Sequence, residues 1–238
     1  MKLDILAIAP HPDDVELTSG GTMIKMAQAG YRTGILDLTR GETGTRGTPE
    51  TRLQEAARAG EIMGVAVRRN LGLPDAHLQV NDEHKAAVAA VIRELEPHTV
   101  IIPYWEGRHP DHYTAGQLCY EACFVAGLKN YSLPGEAFRP FKIVYAAAYA
   151  DVRPTFAVDI TDQYAQRKEA IYAYASQFRP PEHERQSRVA IPLDELEDRM
   201  SLQAMHYGRM IGVKYAEGFV VKEVLRIDDV VKFPVRSV

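Results

Sequence analysis

The fold is decided by residues 3–14, which read LDILAIAPHPDD. Residues 3–9 are almost wholly apolar, a pattern that is typical of a strand buried on both faces of a parallel sheet. The strand ends where the string APHPDD, at residues 9–14, brings in a histidine and two carboxylates. In an open α/β sheet, ligands bind outside the carboxyl ends of the strands. The string is therefore predicted to lie at the ligand-binding edge of such a sheet.

Strands and helices alternate through the first 150 residues. Apolar runs and helical periodicity predict further strands over 33–38, 65–70, 99–103 and 143–150, and helices over 22–29, 50–63, 81–95 and 113–126. This order predicts a Rossmann-like α/β fold of three layers, with a doubly wound, mostly parallel sheet. The less regular remainder is expected to hold helices near 163–175 and 193–207 and a strand over 219–226. We expect one domain over 1–238, with the core at 1–150 and a C-terminal elaboration at 151–238.

The composition indicates a small-molecule partner. The 238 residues carry a net charge of −4, and the basic residues are scattered, so a nucleic-acid partner is not expected. No apolar run reaches the ~18 residues that a membrane span needs. The N-terminal apolar run is too short for a signal peptide. A cytoplasmic protein without membrane contact is the expectation.

A second polar string, RHPDH at residues 108–112, follows the predicted strand at 99–103 and is expected on the loop ahead of the next helix. Because both strings follow buried strands, they are predicted to meet. Two imidazoles and one carboxylate with open positions suit a catalytic zinc ion, and Fe(II) takes the same ligands. The predicted ligands are His11, Asp14 and His112.

The remaining groups in the two strings suit acid/base chemistry. Asp13 lies beside the ligands without being one, where a carboxylate can act as the general base for an attacking water. His109 could present a protonated imidazole to the oxyanion that develops at a carbonyl. Asp111 is expected to hold a neighbouring imidazole in one orientation.

Simpler interpretations exist for each element of this pattern. On its own, HPDD could be a turn followed by helix-capping carboxylates. Two such strings, each directly after a buried strand, are hard to explain by packing. Arg52 and Arg108 could each contact an anionic or hydroxyl group of a substrate, or could be solvated surface side chains. Residues 40–47 and 179–191 are candidate loops for closing over a substrate.

The two strings resemble the LmbE-like, or PIG-L, family of zinc-dependent N-acetylglucosamine deacetylases, whose pattern is AHPDD after the first strand and a later HPDH. Within the family, the chain resembles the branch that deacetylates N-acetylglucosaminyl-malate in bacillithiol biosynthesis. The residues that carry this resemblance are 34–42, 44–48, 108–112, 176–178, 217–219 and Arg52. The chain departs from the family pattern at Thr18, where a glycine is usual, and at residues 105–107, WEG.

The resemblance implies the roles of the site residues. It implies zinc on His11, Asp14 and His112, Asp13 as the base, and His109 as the group that stabilises the tetrahedral intermediate. It also implies substrate contacts from Arg52 and a homo-oligomer, often a hexamer.

The expected reaction is hydrolysis of the N-acetyl amide of an amino-sugar conjugate, giving glucosaminyl-malate and acetate from N-acetylglucosaminyl-malate. One alternative is a deacetylase or amidase that acts on another N-acetylglucosamine conjugate. A metal-dependent phosphoesterase is disfavoured because a single three-ligand site lacks the bridging ligands of two-metal enzymes. A sugar-binding protein without catalytic activity is a further alternative.

Overall fold

The computed structural model describes residues 1–179 and 193–235, and its centre is a seven-stranded mixed sheet with helices on both faces. The strands are β1 Ile5–Ala9, β2 Thr33–Thr39, β3 Val67–Leu73, β4 Thr99–Pro103, β5 Lys142–Ala146, β6 Phe156–Asp159 and β7 Ala216–Val220. Their order in the sheet is β3-β2-β1-β4-β5-β7-β6. The first five are parallel. The strand order reverses at β1, so a crevice opens between β1 and β4.

The helices connect the strands as the sequence predicts for a doubly wound fold. They are α1 Asp14–Thr18, α2 Gly20–Gln28, α3 Pro49–Met63, α4 Asp82–Leu95, α5 Pro110–Ala126, α6 Tyr164–Tyr172, α7 Ala175–Phe178 and α8 Leu193–Ile211. One buried cluster packs α4 and α5 against the sheet. A second cluster packs α2, α3, α6 and α8 against the opposite face. The predicted three-layer α/β architecture is therefore confirmed.

The C-terminal strands differ from the prediction. The four residues of β6 were not predicted, because this short edge strand is only half-buried and carries little apolar signal. The predicted strand over 219–226 is β7, which ends at Val220. Both pair antiparallel and extend the core sheet beyond β5. None of the helices among residues 1–179 and 193–235 is long and apolar enough to cross a membrane.

Two core strands have bounds that the sequence pattern placed wrongly. Strand β3 runs over Val67–Leu73 instead of 65–70, and one of its two arginines, Arg68, points into the interior. Arg68 donates to Asp37 and Glu16, so this basic residue in a strand is an internal ion-pair partner. Strand β5 stops at Ala146 instead of residue 150, because the next residues turn and Ala150 N–H bonds to the Ala147 carbonyl.

Helix α5 begins at Pro110 instead of Tyr113, which puts the last three residues of the second polar string in its first turn. His109 is the N-cap, and its Nδ1 accepts the Asp111 N–H at 3.2 Å. Proline is favoured at the first helical position because its fixed φ suits the helix and its missing N–H would have had no partner there. The prediction of a loop was therefore wrong for residues 110–112, while residues 108 and 109 precede the helix.

Gly116 lets α5 lie against the backbone that follows β4. A Cβ at this position would lie 2.7 Å from the Pro103 carbonyl oxygen and 3.2 Å from that of Tyr104. Both neighbours are main-chain atoms and cannot rotate away. The close approach brings the first turn of α5 to the end of β4, beside the first motif.

We expect Gly116→Ala to lower the free energy of unfolding by about 1–3 kcal/mol, the usual cost of overpacking. Urea unfolding followed by circular dichroism measures this loss. Gly60→Ala in α3 is the matched control, because its Cβ would meet side chains alone, the nearest being Val65 at 3.3 Å. An equal loss in both variants, or no loss in Gly116→Ala, would contradict the packing argument.

Candidate active site

The two motifs meet at the carboxyl ends of β1 and β4. Asp14 is central: its Oδ2 lies 3.0 Å from His11 Nδ1, and its Oδ1 lies 3.3 Å from His112 Nε2. Atoms of all three side chains that could bind a metal lie within 4.8 Å of one another. Although burial opposes it, His112 and His11 hold the pKa of Asp14 well below its usual value. The structure therefore brings together the three predicted ligands, with the carboxylate ionised.

Two carboxylates fix the His11 ring from the other side. His11 Nε2 lies 3.1 Å from Asp75 Oδ1 and 3.3 Å from Asp111 Oδ2. Asp111 also accepts the Ala76 N–H at 2.8 Å, so its position is set by the backbone. Carboxylates in this position fix the tautomer and direction of a ligating imidazole. Asp111 thus lies where its predicted orienting role requires, and the arrangement leaves Nδ1 as the ligand atom of His11.

Asp75 is a site residue that the sequence pattern did not reveal. It follows β3, whose predicted end at residue 70 fell short of the observed end at Leu73. Its Oδ2 accepts from the Thr43 hydroxyl at 2.7 Å and from the Thr43 N–H at 2.9 Å. Although burial opposes it, hydrogen bonds from His11 and Thr43 lower the pKa of Asp75. A carboxylate two residues after the end of a strand was the available signal, and finding it required the correct end of β3.

The donor set fits a divalent metal ion. Two imidazole nitrogens and a carboxylate oxygen are the ligands that catalytic zinc and non-haem Fe(II) use. A second group, His11, His109 and Asp111, also has donor atoms within 4.8 Å of one another, and it shares His11. In that group His109 Nδ1 accepts the Asp111 N–H, and Asp111 Oδ2 is hydrogen-bonded to both His11 Nε2 and the Ala76 N–H. In the first group Asp14 Oδ2 accepts the His11 N–H, whereas Asp14 Oδ1 and His112 Nε2 accept no backbone N–H from the described residues. His11, Asp14 and His112 are therefore the residues that would hold the ion.

Asp13 is held next to the ligands in a strained conformation. Its φ is +108°, in the region that L-residues seldom adopt. Its carboxylate Oδ2 accepts from Arg52 Nη2 at 3.0 Å. Burial raises the pKa of Asp13 to about 7, and the nearby Arg52 works in the opposite direction. Backbone strain of this kind is found at sites where the fold must aim a particular group.

Arg52 is enclosed by protein groups and positions Asp13. Only 5% of the residue is exposed. Its Nη2 also donates to the Pro12 carbonyl, and its Nη1 donates to the Gly41 carbonyl at 3.3 Å. A Cβ on Gly41 would lie 2.0 Å from Nη1, so a larger residue there would displace the Arg52 guanidinium, and the φ of +66° also favours glycine. The interpretation of Arg52 as a solvated side chain was wrong, and its contact with a substrate stays a prediction.

His109 faces the cleft from the start of α5. Its exposed ring stacks on His112 at a centroid distance of 4.7 Å and lies 5.0 Å from His11. Burial, His112 and His11 lower the pKa of His109. Since Nδ1 accepts the Asp111 N–H, the proton of the neutral ring is assigned to Nε2. With Nδ1 engaged as an acceptor, the ring can donate through Nε2–H, and its part at the oxyanion stays a prediction.

Tyr149 is a second site residue that the sequence did not reveal. Its hydroxyl donates to Asp14 Oδ1 at 3.3 Å, and its ring stacks on His112 at 4.8 Å. It lies three residues beyond the end of β5, in a stretch predicted to be strand. Like the two motifs, Tyr149 lies just beyond the carboxyl end of a core strand. Because the predicted strand ran to residue 150, Tyr149 was counted as part of the strand and not as a candidate site residue.

An open cleft leads from the candidate ligands to α8. Arg108 is exposed and lines this cleft. Further lining residues come from α1, from the start of α5, from the segment after β5, from α7 and from α8, and include Tyr149, Phe178, Arg199, Met200 and Gln203. An apolar cavity adjoins Asp14 and His112 in the crevice between β1 and β4. Its walls include Ala7, Ala9, Val15, Ile101 and Ala146.

The other strings that carried the resemblance have structural roles. Residues 40–47 are fastened through Arg46, which donates to the Gln177 carbonyl at 3.1 Å, while Gln177 Nε2 donates back to the Arg46 carbonyl at 2.6 Å. Glu217 accepts the N–H groups of Gly21 and Thr22 at the start of α2. Nearly all of the other candidate closing loop, 179–191, lies outside the described residues.

Comparison with known proteins identifies the family. The family model of PIG-L, GlcNAc-PI de-N-acetylase, matches residues 6–123. The chain is 34% identical over 228 residues to the diacetylchitobiose deacetylase of Thermococcus kodakarensis, covering 90% of this chain and 81% of that one. It is 29% identical over 194 residues to a probable N-acetyl-alpha-D-glucosaminyl L-malate deacetylase 2 of Bacillus anthracis, covering 73% and 81% of the two chains.

A crystal structure of a conserved protein from Thermus thermophilus is also similar. It has 39% identity and a TM-score of 0.86, with 95% of this chain and 98% of that chain covered. The likeness therefore extends over nearly the whole fold. Together with the meeting of the two motifs at one end of the sheet, these matches show that the chain belongs to the PIG-L family.

Proposed function

We propose that this protein is a metal-dependent deacetylase that hydrolyses the N-acetyl amide of N-acetylglucosamine conjugates. The observation that carries the proposal is the carboxylate of Asp13. It lies beside His11, Asp14 and His112, outside the set that would hold the ion, and Arg52 fixes its direction. Family membership and the deacetylases among the relatives support the same reaction class.

Each group of the proposed site has a separate part in amide hydrolysis. A zinc ion, the proposed cofactor, would supply Lewis acidity and lower the pKa of the attacking water. Asp13 takes the proton of that water as its oxygen bonds to the acetyl carbon. The Nε2–H of His109 donates to the carbonyl oxygen, where negative charge develops. When the C–N bond breaks, the proton on Asp13 passes to the departing amine, leaving acetate and a free amino sugar.

The proposed substrate is N-acetylglucosaminyl-malate. Arg108 is exposed on the cleft beside His109, and Arg199 of α8 lines the same cleft. Guanidinium groups pair well with carboxylates, so this wall suits a malate aglycone. The similarity to a probable N-acetyl-alpha-D-glucosaminyl L-malate deacetylase 2 agrees with this proposal. A neutral disaccharide, diacetylchitobiose, is the second candidate because of the relative from Thermococcus kodakarensis.

Acetate release from the two conjugates by the zinc-loaded protein tests the proposal. We expect turnover of N-acetylglucosaminyl-malate, with a KM that rises about ten-fold in Arg108→Ala because an arginine–carboxylate pair is lost. The KM for diacetylchitobiose should stay within about two-fold. Arg58→Ala is the matched control, since Arg58 is exposed on α3 and pairs with Glu61 on the same helix.

Each part of the proposal can fail separately. Release of acetate from neither conjugate would exclude the proposed reaction for these substrates. Turnover of diacetylchitobiose alone would favour the second candidate. An unchanged KM for the malate conjugate in Arg108→Ala would remove Arg108 from the aglycone site.

A further inference from the structure

Lys222, an exposed residue two positions beyond the end of β7, lies in a cage of three aromatic rings. Its Nζ is 4.5 Å from the ring centre of Trp105, 4.5 Å from that of Tyr120 and 5.1 Å from that of Tyr145. A cation within about 6 Å of an aromatic ring face is attracted by the ring quadrupole. Among the described residues, the ammonium has no carboxylate partner. The rings are therefore what holds this side chain in place.

The cage connects the chain after β7 to the loop that carries the cleft arginine. Residues 104–108, here called the rim loop, join β4 to the start of α5 and end at Arg108. Trp105 in this loop stacks on Tyr104 at 4.0 Å and meets Tyr145 edge-on at 4.7 Å. The string at 105–107, which departs from the family pattern, thus contains the ring on which Lys222 rests.

The rim loop and the catalytic histidine are held by different contacts. His109 is fixed by its own N-cap bond to the Asp111 N–H. Arg108 is exposed, so its direction depends on the backbone of the rim loop. Loss of the cage should disturb Arg108 and leave His109 in place.

We propose that Lys222 is a positioning residue that fixes the rim loop, and through it the direction of Arg108, by binding the rings of Trp105, Tyr120 and Tyr145. The effect on substrate affinity rests on the proposed function, because it requires Arg108 to contact the aglycone. The effect on the loop does not.

Trp105 is the only tryptophan of the chain, so its fluorescence reports on the rim loop directly. In the zinc-loaded protein, Lys222→Met should shift the emission and increase acrylamide quenching, and Lys222→Arg should restore both. The KM for N-acetylglucosaminyl-malate should rise about three-fold in Lys222→Met, the size of effect that one lost cation–π contact gives, with kcat within about two-fold of wild type. The matched control is Lys142→Met, which removes a lysine that lies over Phe141.

The outcomes separate this proposal from the proposed function. A changed Trp105 signal with a raised KM, both restored by arginine, supports the positioning role. An unchanged signal, or a signal that changes equally in the Lys142 control, overturns it. A changed signal with an unaffected KM overturns the link from the rim loop to Arg108 if Arg108→Ala raises that KM. If the wild type releases acetate from neither conjugate, the proposed function fails, and the fluorescence comparison alone decides whether Lys222 fixes the loop.

Discussion

Asp13→Asn is expected to lower kcat for acetate release by about 10³-fold, within the range that a general base contributes, while the zinc content of the protein stays unchanged. Asparagine keeps the size of the side chain and an oxygen that can accept from Arg52, but it cannot take a proton from water. The ion would be held by His11, Asp14 and His112, none of which is altered. Steady-state kinetics and metal analysis of the same preparation measure the two effects.

A matched control shows whether the loss comes from the site. Asp228→Asn makes the same change at an exposed aspartate of the C-terminal segment, paired there with Arg226. It should leave kcat within about two-fold of wild type. If Asp13→Asn kept most of its activity at full zinc occupancy, Asp13 would not be the base. If it lost zinc in proportion to activity, Asp13 would belong to the ligand set.

The arrangement of the ligands was accessible from sequence because it depends on few structural facts. Buried strands are apolar on both faces, and parallel strands bring their carboxyl ends to one edge of the sheet. These two facts place the string with His11 and Asp14 near the string with His112, although 98 positions separate Asp14 from His112. The structure brings all three side chains together as predicted.

The supporting residues could not be found in this way because they depend on exact strand ends and on long-range contacts. A shift of three residues at the end of β3 hid Asp75, and a similar error at β5 hid Tyr149. The contact of Arg52 with Asp13 joins residues 39 apart in sequence, on different elements, and no local pattern encodes it. The short strand β6 pairs with β7, which lies more than fifty positions further along the chain, and has little signal of its own.

Hydrogen bonds that hold the loops around the site explain part of the resemblance to the family. Residues 176–178 and 217–219 resemble the family, yet Gln177 holds residues 40–47 and Glu217 caps α2. Gln177 and Glu217 therefore report on how the scaffold positions the site, whereas Phe178 of the first string lines the cleft. Under the proposed function the aglycone is selected at the cleft wall, which Arg108, Phe178 and side chains of α8 line.

His112→Ala is expected to abolish both zinc binding and turnover, whereas Asp75→Asn should weaken zinc binding about 10–100-fold, as loss of a partner behind a ligand does. His112 offers a ligand nitrogen 3.3 Å from Asp14 Oδ1. Asp75 contacts the far nitrogen of His11. Asp75→Asn removes none of the three ligands. It weakens the hold on the His11 ring, which Asp111 still contacts at Nε2.

Zinc titration against a chromogenic chelator, followed by kinetics at each zinc concentration, distinguishes the two variants. Excess zinc should restore most of the activity of Asp75→Asn, because its defect is one of affinity. Excess zinc should not restore His112→Ala, because the remaining imidazole and carboxylate cannot hold the ion in a reactive geometry. His206→Ala, at an exposed histidine on α8, should match wild type in both measurements. Full recovery of His112→Ala by zinc would exclude His112 as a ligand, and a defect in Asp75→Asn that zinc cannot correct would assign Asp75 a role in the reaction itself.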